Sequence, residues 1–193
     1  SPGIRYLRQK NMKPEHPSWW DPHSDQPFKL DRSQKPRLKA DNLNEYHRTA
    51  LTAIGSIPVV AWHYACLQKH SPPPTDFIGL GISPDHGDHN EVADLTEELG
   101  VQKLLLRVPS WHVSELDYYL DFAARFKGRD LLINILQSRQ SVLDPAHWLD
   151  AVDQIITAFY PLTKAFQIGN AVNRSKWGCR HTGEYLELLK GLS

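Results

Sequence analysis

The sequence predicts an α/β fold in which short strands alternate with amphipathic helices. Four short apolar runs, each suited to a buried strand, occur at 77–82, 103–108, 131–136 and 164–169. A segment with helical spacing of its apolar residues follows each run, which gives repeating units of about 25 to 35 residues. Alternation at this spacing is typical of a parallel sheet with right-handed crossover connections.

Capping and breaking residues predict where the helices begin. Asn90 precedes an acidic turn and Ser114 precedes an apolar helical stripe, so each is an expected N-cap. Asp144 followed by Pro145 predicts the start of the third helix, because proline suits the first helical position. Thr182 is the expected cap of the last helix.

The first 75 residues have a different composition. Residues 1–42 form a charged, proline-spotted arm, which we expect to be irregular and to lie on another surface with Trp19 and Trp20 as anchors. Residues 71–75 contain three consecutive prolines, which continue neither a helix nor a central strand. This connector therefore separates the N-terminal extension from the repeating units at 76–193.

Residues 43–70 are predicted to be a helix with a break or kink between Gly55 and Pro58. The run from Ala50 to Leu67 is apolar overall but includes threonine, serine, proline and histidine. We interpret this run as a buried or amphipathic segment, and we do not expect a membrane span.

Charge and cysteine content exclude some classes of function. Lys and Arg together number 22, as do Asp and Glu, so no basic surplus predicts a nucleic-acid partner. Cys66 and Cys179 do not make a disulfide framework, which favours a reducing, cytoplasmic compartment over secretion. Gly79 and Gly81 lie inside the first predicted strand, so no dinucleotide fingerprint follows it and no cofactor is expected.

The most informative motif is the exit of the fourth strand. The apolar run Phe166-Gln167-Ile168 ends in Gly169-Asn170-Ala171 and continues to Asn173, Arg174 and Trp177-Gly178. This motif resembles the fourth-strand motif of clan A glycoside hydrolases, which are retaining (β/α)8-barrel enzymes. The resemblance implies that residues 76–193 are the first four strands of a TIM-type barrel.

The resemblance also implies a carbohydrate site at the carboxyl ends of the strands. Asn170 corresponds to the asparagine that contacts a sugar hydroxyl, and Arg107 to an arginine that supports the catalytic carboxylates. Trp111 and Trp177 would stack on a sugar, and Asn173 and Gln137 would line the cleft. The family's acid/base glutamate position holds Ala171 here.

The resemblance leaves open whether the chain is an enzyme. Ala171 has no proton to give, and the family's nucleophile lies on a seventh strand that these residues do not include. Loss of acid–base help typically slows such a reaction about 10²- to 10⁴-fold. The expected function is therefore carbohydrate binding or impaired hydrolysis. The alternative is a non-catalytic interaction protein in which an oligomer partner or a second barrel half completes the sheet.

Three other features of the sequence are weaker candidates for a functional site. The cluster Asp85-His86-Gly87-Asp88-His89 offers ligand types for a metal but no known ligand spacing, so no metal is expected and a polar cleft wall is preferred. Cys179 lies beside Arg180 and His181, which would lower the pKa of its thiol, yet no third orienting residue is identifiable. Glu184 is the nearest acidic substitute for Ala171, and helix-dipole stabilisation is its simpler role.

Overall fold

The computed structural model describes residues 13–31, 33, 40, 42–67 and 78–191. The chain forms two compact units. One contains Ser1–Phe28 together with Ile78–Ser193, and the other contains Lys29–Phe77. The arm predicted over residues 1–42 is thus divided, because its part up to Phe28 belongs with the sheet.

The first unit is built on a four-stranded parallel sheet in chain order. Its strands are β3 (Gly79–Ile82), β4 (Lys103–Pro109), β5 (Asp130–Leu136) and β6 (Ala165–Ile168). A short antiparallel pair, β1 (Trp20–Asp21) and β2 (Gln26–Pro27), precedes them. The predicted alternation of strands and helices is confirmed. The helices of this unit are α2 (His89–Glu98), α3 (Leu116–Ala123), α4 (Arg139–Leu143), α5 (Pro145–Phe159) and α6 (Thr182–Lys190).

Helices cover one face of this sheet. Alternate residues of the two central strands are buried against them, which is the pattern of a strand with one apolar face. The buried strand residues include Leu104, Leu106, Val108, Leu131, Ile133 and Ile135. The large helical side chains that pack with them in the same core are Tyr119, Phe122, Trp148, Val152, Ile155 and Phe159.

The other face of the sheet is much less covered. Leu105 and Leu132 are half-buried there, and Gly81 and Ala165 are exposed. An open cavity of about 870 Å³ lies against this face, and Arg107 is among the residues that line it. Parallel sheets normally have both faces covered. This half-covered sheet is compatible with β/α units, which occur both in closed barrels and in open sheets.

Three of the predicted helix caps, at Asn90, Ser114 and Thr182, are wrong. The N-cap of α2 is Asp88, whose carboxylate accepts hydrogen bonds from the backbone N–H groups of Asn90 and Glu91. Ser114 lies inside a 3-10 helix that precedes α3 and does not cap it. The start at Pro145 is confirmed, with the Asp144 side chain accepting from the backbone N–H of His147.

Thr182 is the first residue of α6, and the N-cap position is His181, which makes no side-chain cap hydrogen bond.

The second unit contains one long helix, α1 (Leu43–Leu67), of 25 residues. It is continuous through Gly55 and Pro58, so the predicted break is absent; the rest of the predicted range, residues 68–70, lies outside the described residues. No side chain of α1 is buried, so the expectation of a buried segment is wrong. By length and composition alone, α1 is apolar enough to cross a membrane.

Gly178 is expected to be the least replaceable glycine of the loop after β6. Its φ is +102°, and a Cβ there would lie 2.5 Å from the carbonyl carbon of Ser138. Gly178→Ala should therefore cost about 1–2 kcal/mol of left-handed strain and about 1–3 kcal/mol of overpacking. Gly87 is the control, because it has a φ of +69° with open space at its Cβ position.

Urea denaturation of the two variants, followed by tryptophan fluorescence, measures both free energies of unfolding. Equal losses in Gly178→Ala and Gly87→Ala would contradict the close approach of the two loops.

Candidate functional site

The carboxyl ends of the parallel strands bring most of the predicted site residues to one edge. Arg107 lies near the end of β4, and Trp111 follows in the 3-10 helix Ser110–Glu115. Gln137 follows β5 directly, and Asn170 follows β6. Trp177 ends the 3-10 helix Ser175–Trp177 in the loop after β6. The topology thus gathers residues that are up to 70 positions apart in the sequence.

Gln137 has a structural role that the sequence did not predict. Its Nε2 donates to the backbone carbonyl of Asn170 at 2.7 Å, and its Oε1 accepts from the backbone N–H of Asn170 at 2.7 Å. Gln137 is almost fully buried, at 1% exposure. Both ends of its amide therefore fix the backbone after β6, and the side chain of Asn170 takes no part in this pair.

The backbone at Ala171 is strained. Its φ of +45° places a non-glycine residue in the left-handed region. Ala171 packs against a small cluster formed by Trp20, Leu136 and Trp177. Its methyl group supplies neither a proton nor a hydrogen bond. Asn173 is exposed in the turn that follows, where the N–H of Arg174 donates to the carbonyl of Ala171.

The arm occupies the predicted aromatic platform. Trp20 is 2% exposed, and its ring centroid lies 5.2 Å from that of Trp111 and 5.9 Å from that of Trp177, both edge-on. Trp19 also contacts Trp111, at 4.7 Å between ring centroids. The expected anchoring of the arm by its tryptophans is confirmed. A sugar cannot stack on Trp177 as expected in this arrangement, because only 5% of Trp177 is exposed.

Arg107 is paired with a carboxylate that sequence reasoning missed. Its Nη1 donates to Oδ2 of Asp25 at 3.1 Å and to the backbone carbonyl of Asp25 at 3.0 Å. Burial raises the pKa of Asp25 above its ordinary 3.8, although the Arg107 guanidinium opposes the shift. Asp25 also has a positive φ of 51°. No local signal indicates this pair, because the two residues are 82 positions apart.

The polar loop after β3 is held by the arm. Oδ2 of Asp85 lies 2.9 Å from Nε2 of His16, and Oδ1 lies 3.5 Å from Nζ of Lys13. Burial alone would raise the pKa of Asp85, but the hydrogen bond from His16 and the charges of His16 and Lys13 hold that pKa below its usual value. A polar cavity of about 370 Å³ adjoins this loop.

The remaining members of the Asp85–His89 cluster have their own partners. Nε2 of His86 lies 2.8 Å from the carbonyl of Pro22, and Nε2 of His89 lies 2.9 Å from that of Pro84. Within residues 13–31, 42–67 and 78–191, no three His, Cys, Asp or Glu side chains form a group that could hold a metal ion. The cluster builds a loop wall.

His112 is buried in a neutral network. Its Nε2 lies 3.3 Å from the carbonyl of Glu15, which can only accept, so Nδ1 accepts from the hydroxyl of Tyr119 at 2.7 Å. Burial lowers the pKa of His112 to about 4 and raises the pKa of Tyr119. At neutral pH this histidine is therefore uncharged, and it joins the arm to the core.

Cys179 is not an activated thiol. Burial raises the pKa of its thiol to about 11, with Glu184 adding to the shift and Arg139 opposing it. The carboxylate of Glu184 accepts from Nη1 of Arg139 at 2.7 Å and from the backbone N–H of Arg180 at 2.7 Å. These contacts outweigh burial and hold the pKa of Glu184 below its usual value, so Glu184 is a poor proton donor.

Several buried polar atoms at this edge have no hydrogen-bond partner in the described part of the chain. Asn134, a β5 residue that pairs in register with Arg107, is 2% exposed. These unpartnered atoms include Oδ1 of Asn134, Nε of Arg107, and the indole Nε1 atoms of Trp20 and Trp111. Leaving such a group unpaired costs about 1–3 kcal/mol. Sequence reasoning missed Asn134 because it lies inside an apolar run.

Comparison with known proteins adds no relationship. No family model matches the sequence, no curated protein matches it, and no solved structure matches the fold. The function is therefore argued from the geometry of the site.

The Asp25 carboxyl should give a distinct pH dependence of stability. Its raised pKa means that the folded state holds the proton more tightly than the unfolded state, so its contribution is present below about pH 3.8 and is lost as pH rises through the folded pKa. Asp25→Asn lacks this loss. The difference in the free energy of unfolding, taken as the Asp25→Asn variant minus the native chain, should therefore rise between about pH 3 and pH 7.

Asp21→Asn is the matched control. The Asp21 carboxylate accepts from the Ser24 hydroxyl at 2.6 Å, which lowers the pKa of Asp21. For this variant the same difference should fall as pH rises, because the native carboxylate stabilises the folded state only when ionised. Both free energies come from urea denaturation at each pH. Parallel profiles for the two variants would show that Asp25 is not desolvated.

Proposed function

We propose that residues 78–191 are the first half of a (β/α)8-type barrel and that this chain binds a neutral carbohydrate at the carboxyl edge of its sheet. Four parallel strands in chain order, each followed by a helix, support the barrel. The sparsely covered face, with its cavity of about 870 Å³, would be the barrel interior. The resemblance of the β6 exit to clan A glycosidases points to the same edge.

The unpartnered polar atoms of Asn134, Arg107 and Trp111 carry the proposal. They offer one acceptor and two donors at neighbouring positions of one edge. A sugar hydroxyl both donates and accepts, so adjacent hydroxyls can satisfy such a mixed set. Arg107 also lines the large cavity, whose other lining residues lie in the first and central parts of the strands and in the loops before them.

The charge of the site favours a neutral ligand over an anionic one. The guanidinium of Arg107 is already paired with the Asp25 carboxylate at 3.1 Å. The negative charge of Asp85 also acts on Asp25 and raises the pKa of Asp25 further. An anion would therefore meet a compensated cation and nearby negative charge, whereas hydroxyl groups require no net charge.

Binding is proposed without efficient hydrolysis. Ala171 has no ionisable side chain where the resemblance places the acid/base residue. Glu184 is held ionised by Arg139, and the Asp25 carboxyl is already paired with Arg107. Neither carboxyl is therefore a ready general acid at this edge.

A second candidate function is that of an interaction protein whose bare sheet face is covered by another polypeptide. The half-buried Leu105 and Leu132 and the exposed Ala165 favour it, because they place apolar surface on a parallel sheet that other proteins cover. In this case a partner, such as a second copy of the chain, would occupy the cavity. The molecular mass measured in solution would then exceed that of one chain.

Asn170→Ala tests the carbohydrate proposal. The links of Asn170 to Gln137 use only backbone atoms, so the variant should keep the fold while losing the amide expected to contact a hydroxyl. A glycan array of the intact chain identifies a ligand, and calorimetry should then show affinity reduced about 2- to 10-fold, the value of one net hydrogen bond.

Gln102→Ala is the control, because Gln102 is an exposed amide at the opposite edge of the sheet. Its affinity should equal that of the native chain. No glycan binding by the native chain, or equal losses in both variants, would overturn the proposal. Light scattering on the same samples distinguishes a monomer from the assembly that the second candidate requires.

A further inference from the structure

Helix α1 is the largest feature that the proposed site does not use. Its apolar side chains are exposed, including Trp62 at 72% and Leu51 at 71%. From Thr49 to Leu67, it contains no Asp, Glu, Lys or Arg. A helix with so much exposed apolar surface is expected to bind an apolar partner or medium, because moving each exposed Leu, Ile or Val side chain out of water is favourable.

From Thr49 to Leu67, the polar residues of α1 line up on one narrow stripe. At the 100° step of an α-helix, the spacing of these residues places them within an arc of roughly 60°. The stripe consists of Thr49, Thr52, Ser56 and His63, whereas Asn44, His47 and Arg48 of the first turns lie outside it. Over the same residues, the remaining arc carries apolar residues, among them Leu51, Ile54, Ile57 and Val60. This pattern is amphipathic, with a polar stripe much narrower than its apolar arc.

We propose that α1 lies in the surface of a lipid bilayer, with its apolar arc among the acyl chains and its polar stripe at the headgroups. Helices of this kind bury an apolar face at the boundary between headgroups and acyl chains. A narrow polar stripe corresponds to deep embedding in one leaflet. The inference is independent of carbohydrate binding, which concerns the other unit.

The chemistry of α1 fits lipid better than a protein groove. A helix bound in a groove shows one line of anchors at i, i+3, i+4 and i+7, whereas the apolar arc here covers most of the circumference. Around the helix axis, Tyr46 and Tyr64 lie about 100° to one side of His63 and Trp62 lies about 100° to the other, so these rings flank the polar stripe at the headgroup level. The Ser56 hydroxyl donates to the carbonyl of Ala53 at 2.9 Å, which reduces its cost in an apolar medium.

The connections of α1 favour an in-plane helix over a spanning one. Residues up to Phe28 and residues from Ile78 onward belong to one compact unit, so both ends of α1 are joined to the same body. The helix of 25 residues is about 37 Å long. After a span, residues 68–77 would have to return across about 30 Å of hydrocarbon. That segment includes Lys69 and Asp76, and an extended backbone in lipid leaves its polar groups unpaired.

Residues 29–42, which precede α1, contain five Lys or Arg and two Asp. This basic composition favours a surface with anionic lipids. The test therefore uses vesicles of phosphatidylcholine and phosphatidylglycerol mixed with the full chain. Co-flotation measures the partition coefficient of the native chain, of Ile54→Glu on the apolar arc, and of Ser56→Glu on the polar stripe. Both variants add the same charge two positions apart.

The native chain is expected to float with the vesicles. Ile54→Glu should lower its partition coefficient at least about tenfold, because the charge enters the acyl region, and Ser56→Glu should change it by less than about threefold. Circular dichroism of all three chains checks folding. No flotation of the native chain overturns the proposal, as does self-association that is lost in Ile54→Glu. Equal losses in the two variants would indicate a spanning helix and also overturn it.

A label at Cys66 gives an independent readout. Cys66 is exposed in α1, whereas Cys179 is buried and weakly ionised, so a thiol-reactive, environment-sensitive dye should label Cys66 selectively. Vesicles should shift the emission of this dye to shorter wavelength in the native chain and not in Ile54→Glu. An unchanged emission in the native chain would contradict embedding of α1.

Discussion

The structure depends on one constraint, the alternation of side chains along four parallel strands. Because Leu104, Leu106 and Val108 point to one side of β4, helices must cover that side and every connection must return to the same starting edge. The strand ends then collect their polar residues at the opposite edge. The candidate site is a consequence of this arrangement, since a helical segment separates each strand from the next in the sequence.

The arm completes that edge. Three contacts hold it there: Trp20 fills the space between two other indoles, Asp25 pairs with Arg107, and His16 pairs with Asp85. The same contacts cover the aromatic faces that a sugar would use. The polar atoms left without partners beside Arg107 are therefore the more informative part of the site. A buried group without a partner is a cost that requires a physical reason, and a bound ligand would supply one.

The sequence predicts the local features well and the distant contacts poorly. The strands follow from apolar runs and the start at Pro145 from local chemistry. Asp25 and Gln137 were missed or misassigned because their roles depend on residues 82 and 33 positions away. In the sequence, Asn134 is one residue of an apolar strand. Only the strand register, which pairs it with Arg107, shows that it belongs to the site. The exposure of α1 was also missed, because apolar composition does not say what surrounds a helix.

The central claim is that the carboxyl edge keeps unpaired polar atoms for a hydroxylated ligand. Asn134→Leu tests it most directly, because leucine has the same number and branching of side-chain heavy atoms as asparagine and lacks the unpaired Oδ1. The account predicts that the free energy of unfolding rises by about 1 kcal/mol or more, while glycan affinity falls. A variant that is less stable than the native chain and binds the same glycan equally well would contradict the account.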